Sequence, residues 1–454
     1  MKRTKGSISV FMALTITMML SFCLVLIESA REQTMLLKAD IIFHACVNSA
    51  LAEYHQGLWE YYDVLYVDAS YKTGIPNYAF IQNRLKYYAD ENLKYDNQGW
   101  LSLDYTGSIL TDVLLATDGN GKSFYQKAVE AVKFEKGITM LEDVAVYLEI
   151  LERYSNFSSD LEHTKADITT QIEEANGREI VWEGQTVTVE VENPLEEIES
   201  GNFLLKKVIG ENVPLSQKQI DLSNTVSHRA LAHGTREDVS GEADLEQALN
   251  LILDKVLYIS YVGTHFQNYS HLKQEKPLNY EVEYLIAGKE SDVQNLEAVV
   301  MRLLLVREVD NYISLISNEA KKMEAHTIAA TTANVAVWLE PIVYQAILIC
   351  WAYEMSIEDL QKLFSGEEIP LCKALPNSLS EKVSFNYEEY IYMLLLLEQR
   401  EKLSMRSLDL VELFIRQAEK TFRMDGCVAS AIFEGNFLDT YEKQYAITKT
   451  MEYY

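Results

Sequence analysis

Asp118-Gly-Asn-Gly-Lys122-Ser123 comes nearest to a reactive motif, because it ends as a phosphate-binding loop ends. In such a loop, backbone N–H groups cradle the phosphates and the lysine reaches the terminal one, which requires a glycine five residues before Gly121. That position is Ala116, so the stretch reads as a Gly-rich turn capping the next helix. The same residues imitate a calcium loop only at Asp118 and Asn120. Lys122 stands where a further oxygen ligand belongs, and no Glu occupies position 12. His228 and His233 are five apart and do not share a helix face, His265 and His271 are six apart, and no HExxH occurs. There is no Gly-x-Ser-x-Gly elbow, and no two of the five cysteines form a CxxC. Acid pairs such as Glu196-Glu197, Glu367-Glu368 and Glu388-Glu389 have the chemistry of general acids and bases, but in so acidic a chain they read as solvated faces. The sequence predicts no enzyme, no cofactor and no metal.

The elements that would have to position any site begin with Ile8–Ile27, a run without charge, Pro or Gly. Twenty residues at about 1.5 Å each match a bilayer's roughly 30 Å hydrocarbon core. Ile8, Phe11, Leu14, Met18, Phe22 and Leu26 are its anchor residues. Lys2, Arg3 and Lys5 precede it, and Glu28, Arg31 and Glu32 follow, so the positive-inside bias predicts a cytoplasmic N-terminus and an extracytoplasmic body. A cleaved signal would need a shorter apolar core and a small-x-small site, whereas here Glu28 precedes Ser29-Ala30. The expected location is the cell membrane, with one span.

Net charge is −28, and −31 once the three basic residues of the first 27 are set aside. Nucleic-acid binding needs clustered Lys and Arg, so that class is excluded, as is a basic face lying on anionic lipid. Hydrophobic content of 48% excludes disorder. The unpaired cysteines, one of them in the span, read as small buried apolar residues. Tyr is abundant, at 28 residues, and clusters at 54–71, 258–284 and 387–392, which suits core packing and protein interfaces alike.

No Gly or Pro occurs from Ser7 to Gln56, and Leu36, Ala39, Phe43, Val47, Ala50, Tyr54 and Leu58 keep helical spacing. The pattern predicts a stem helix continuing out of the bilayer, the alternative being two helices with a kink near Glu28. Leu36, Phe43, Val47 and Tyr54 are the candidate interaction residues on it. A long helix with its first half in lipid and its second half on a globular head is the pilin-like plan. Beyond it, strands are predicted at 63–68, 179–191 (with Gly184-Gln185 in a II′ turn), 280–287 and after Cys427. Helices are predicted at 77–94 (capped by Asn77), 124–154, 160–176, 243–269, 292–317 (capped by Ser291), 356–364, 387–399 and 403–422, those at 124–154 and 160–176 forming an antiparallel hairpin. Residues 327–353 are apolar but cut by Glu340-Pro341, and read as a buried core helix. The expected fold is α+β and mostly helical, with small antiparallel β elements. Its divisions are a tail (1–7), span (8–27), stem (28–62) and two extracytoplasmic regions (63–242 and 243–454).

Lys5-Gly6-Ser7-Ile8-Ser9-Val10-Phe11 and Glu28-Ser29-Ala30-Arg31 resemble the opening of a family of uncharacterised membrane-anchored proteins of anaerobic Gram-positive bacteria. The likeness continues at 49–54, 62–68, 283–292 and 387–392. These proteins look like relatives of the TadE/TadG pseudopilins. The resemblance implies a structural or assembly component of a Tad-type pilus or secretion apparatus, with other proteins of that apparatus, or further copies of itself, as partners. No catalytic residue comes with it. Prepilin-type processing cuts after Gly and prefers Glu at the fifth position of the mature chain; Gly6 fits, but the fifth residue after it is Phe11. Against the assembly role stand a membrane-tethered sensor or ligand-binding protein and an anchored hydrolase. A pocket lined by Tyr and acidic groups would favour the former, and convergent titrating residues the latter.

Overall fold

The computed structural model describes residues 5–94, 99–135, 160–197, 202–211, 213–236, 245–370 and 384–453. It is α+β, rich in helix, and opens on α1 (Lys5–Leu51), one unbroken helix of 47 residues. There is no kink at Glu28. The helix stops eleven residues before the predicted end of the stem. His55 accepts a hydrogen bond from the N–H of Leu58 and so caps a second helix, α2 (Gln56–Tyr62), which carries the last seam residue, Leu58.

The chain divides into two compact units that do not follow the linear division at 242. The first gathers Met1–Lys127, Arg229–Gly241 and Val411–Tyr454. Its sheet is antiparallel, with the order β1 (Val67–Asp68), β7 (Cys427–Asp439), β2 (Leu103–Leu115), and with β8 (Gln444–Glu452) also on β7. The strand expected over 63–68 is real only at its last two residues. Two helices cover one face of the sheet. α3 (Tyr78–Leu93), capped by Asn77 as its sequence predicts, presents Ile81, Leu85, Ala89 and Leu93 at four-residue spacing. The second half of α1 presents Met35, Ala39, Ile42, Phe43, Cys46, Val47 and Ala50. β8 runs beside α1, since Lys449 pairs with Asp40 at 2.8 Å and the hydroxyl of Tyr453 donates to the carbonyl of Leu51. In the same unit Arg229 joins Glu412 and Asp425, tying residues 229–236 down. Burial would raise the Asp425 carboxyl, yet bonds from Arg423, the Ala232 N–H and Arg229 hold it at about 2.

The second unit, Ala128–His228 and Glu242–Leu410, is helical. A helix over 160–175 (α5) leads to the hairpin β3 (Glu179–Trp182) and β4 (Gln185–Thr188). Its two-residue loop is Glu183-Gly184, with both φ positive as a type I′ turn requires, rather than Gly184-Gln185 in a II′ turn. α4 (Asp118–Glu135) is described to residue 135, so the expected continuation to 154 and its junction with α5 lie outside the described residues. After α6 (Asn202–Ile209) and α7 (Leu245–His265) comes a correction. Residues 280–287, expected as a half-buried strand, form the helix α8 (Glu281–Ala287). Its alternating acids mimic a solvent face, but Glu281 and Glu283 are buried with the apolar residues. α9 (Asp292–Ser317), capped by Ser291, packs on α11 (Glu340–Phe364), and α10 (Glu319–Thr332) packs on both. α11 is the buried core helix expected within 327–353, but it begins only at Glu340, with Pro341 in its first turn, while 327–332 close α10; it also absorbs the separate helix expected at 356–364. A two-residue pairing of β5 (Ile369–Pro370) with β6 (Ser384–Phe385) precedes α12 (Tyr387–Leu397) and α13 (Arg400–Ala418).

Candidate functional site

The anchor residues Ile8, Phe11, Leu14, Met18 and Phe22, with Leu26, lie on the first half of α1, and every one is exposed. Its hydroxyls are satisfied internally, as membrane insertion needs: Thr15 donates to the carbonyls of Phe11 and Met12, Thr17 to those of Ala13 and Leu14. Among the described residues, one helix is long and apolar enough to cross a membrane.

The stem residues separate. Phe43 and Val47 are buried in the first unit's own core. The Phe43 ring lies 6.3 Å from those of Tyr105 and Phe437, and a Cβ at Gly435 would come within 2.6 Å of it. They are core residues, and the interaction surface expected at Phe43 is corrected accordingly. Leu36 is half exposed because the inward stripe takes Met35 instead, and Tyr54 sits beyond the helix end against the edge of Trp59. The most open apolar side chains of this half of the helix are Leu37 (60% exposed) and Ile41 (59%), one turn apart, with Leu36 beside them. Their i, i+4 spacing was visible in the sequence, but the inward seam drew the reading away from it.

A second candidate lies within the helical unit. A cleft of about 550 Å³ is walled by Tyr269, Tyr280, Phe364 and Tyr387, with His271 and Glu388 also lining it. The Tyr269 ring meets Tyr280, Phe364 and Tyr387 edge-on at 5.4–5.9 Å. Glu283 accepts bonds from the Tyr269 N–H (2.9 Å) and the Tyr387 hydroxyl (2.7 Å), while its Oε2 is buried with no partner. Burial pushes the Glu283 carboxyl up to about 7, and it pushes Glu281 up to about 6 in spite of the adjoining Lys276. Glu388 accepts from Tyr392 and Asn268 and lies 3.8 Å from the His271 ring. Aromatic walls beside a carboxylate suit the binding of a ring or a cation. Sequence reasoning counted these tyrosines without bringing them together. Among the described residues, no three His, Cys, Asp or Glu are grouped to hold a metal.

Glu283 yields a pH prediction. Its folded form holds the proton more tightly than the unfolded chain, so its contribution is most favourable below about 4.5 and declines as pH rises to about 7. Glu283→Gln keeps an acceptor and removes the ionisation. The variant's melting temperature, relative to wild type, should rise between pH 5 and pH 8, by a change worth about 3 kcal/mol. A parallel pair of pH profiles would refute it.

Residues 184–437 match the sequence pattern of a family of unknown function, DUF5702. No curated protein and no solved structure matches the chain.

Proposed function

Because the chain belongs to the DUF5702 family of unknown function, we propose its role from its own residues: a membrane-anchored structural or assembly component of a Tad-type pilus or secretion apparatus. One observation carries the reading. A single 47-residue helix offers an uncovered apolar first half and lays its second half, through Phe43, on an antiparallel sheet. That division of one helix between lipid and a globular head is the pilin-like plan, and the TadE/TadG-like opening residues agree with it. Lys2, Arg3 and Lys5 ahead of the span support a cytoplasmic N-terminus with both units outside. Leu37 and Ile41 are the contact points for a neighbouring chain.

The test places a photo-crosslinking residue at Leu37 or Ile41 of the full-length protein in its native membrane. Adducts with a second copy or with another single-span pilus protein are expected. Adducts with lipid or water alone would remove the assembly role. The aromatic cleft favours a second reading, a membrane-tethered ligand-binding protein, since three tyrosines and the carboxylate of Glu388 line it. Loss of cellular function in Tyr269→Ala with intact crosslinks would select it.

A further inference from the structure

We propose that the first unit is seated on the bilayer by an aromatic rim, in which Trp100 and Tyr441 lie in the lipid headgroup layer around Arg31. The inference rests on the reading of Ile8–Ile27 as a bilayer span, and it adds a second, peripheral membrane contact made by the folded body. Arg31 follows Ile27 by four residues, so it stands roughly 6 Å beyond the apolar run. The headgroup layer on each side of a bilayer is roughly 5–8 Å deep. Whatever Arg31 holds is held at that depth.

Arg31 holds two loops. Its Nε donates to the carbonyl of Trp100 at 3.0 Å, and its guanidinium lies 4.2 Å over the ring of Tyr441. Its remaining nitrogens pair with Glu28 and with Asp439, each at 2.8 Å, and Arg31 and Asp439 are both buried. Lys38 donates to the carbonyl of Leu101, and Lys443 pairs with Glu32, which fixes the same loops a second time. The strand register demands this placement, because Leu103 at the start of β2 lies opposite Asp439 at the end of β7. Yet the rings so positioned are left open, Trp100 at 52% and Tyr441 at 67% exposed. Trp and Tyr are the side chains enriched where a membrane meets water, since an apolar ring and a polar tip match that boundary. The charges used here also cancel, Arg31, Lys38 and Lys443 against Glu28, Glu32 and Asp439. In a body of net −31, the ion pairs that hold this aromatic edge are thus balanced, with exposed Glu442 beside Tyr441 left over.

The test uses tryptophan emission of the full-length chain in phosphatidylcholine vesicles whose acyl chains carry bromine near the headgroup. The helix α1 contains no tryptophan, the five being Trp59, Trp100, Trp182, Trp338 and Trp351, so quenching must come from residues beyond it. Wild type should be quenched, Trp100→Phe should lose most of that quenching, and Trp338→Phe should keep it. Adding Tyr441→Trp to Trp100→Phe should restore it. Unchanged quenching in Trp100→Phe, or none in wild type while the protein still floats with the vesicles, would overturn the rim and leave the span standing. Failure to float would sink the span and the rim together.

Discussion

Phe43→Glu should unfold the sheet-bearing unit rather than merely loosen an association. The ring is fully buried between Tyr105, Phe437 and the bare backbone of Gly435. Deleting a core Phe costs about 3–5 kcal/mol, and an unpaired carboxylate in its place adds several more. Together these approach the roughly 5–15 kcal/mol that holds a whole domain. Leu37→Glu and Ile41→Glu, on the uncovered side of the same helix, should each change stability by less than about 0.5 kcal/mol. Thermal melting of the three variants, with limited proteolysis of the last two strands as a second readout, separates the faces. If Phe43→Glu melted with wild type, the helix would not lie on this sheet.

Arg307→Met should cost nearly as much in the helical unit. Arg307 is fully buried and donates to Asp359 Oδ2 from Nε (3.1 Å) and Nη2 (2.8 Å). It also pairs with Asp310 at 3.2 Å and donates to the carbonyl of Pro370 and the hydroxyl of Tyr390. Methionine keeps the volume but leaves two carboxylates without their cation. Removing one partner of a buried pair costs about 3–5 kcal/mol. Denaturant melts of Arg307→Met and Arg307→Lys check this: lysine keeps a cation and should recover part of the loss, and equal losses would mean that packing, not charge, sets the role of Arg307.

What the sequence revealed was local. Ser291 and Asn77 cap the helices they were read to cap, because an N-cap is written in a single side chain and its next two or three N–H groups. The 179–188 hairpin shows itself by period-two alternation around a glycine. The strand over 103–115 was missed altogether. It carries Gly107 and three register shifts against its partner, two of them with the extra residue on this strand, so its alternation of buried and open positions survives only at its two ends, 103–106 and 113–115. Tyr280–Ala287 failed for the opposite reason. The alternation was there, but Glu281 and Glu283 find bonds to Lys276, to the N–H groups of Gln267 and Tyr269, and to Tyr387, all from outside the window. The cleft was illegible likewise, since its walls come from residues 269, 280, 364 and 387. Phe43 illustrates the limit well. Its apolar spacing showed that it would be covered, and only the sheet showed by what.

The sheet that covers Phe43 has a consequence for the order of events in synthesis. Leu103–Leu115 pairs with Cys427–Asp439, more than 300 residues further along the chain. At about 5–20 residues per second, roughly 15–60 s separate the emergence of the two strands. With Ile8–Ile27 taken as a bilayer span, as proposed above, the helix is committed to the bilayer throughout that interval, while Met35, Phe43 and Val47 have neither β7 nor β8 to lie on. Closing so long a loop is entropically slow, and contact order this high places the unit among late folders. The nascent chain must therefore keep its own stem from sticking to its neighbours until its last strands arrive, by lying back on the lipid surface or in the grip of a chaperone. The helical unit is made within that wait.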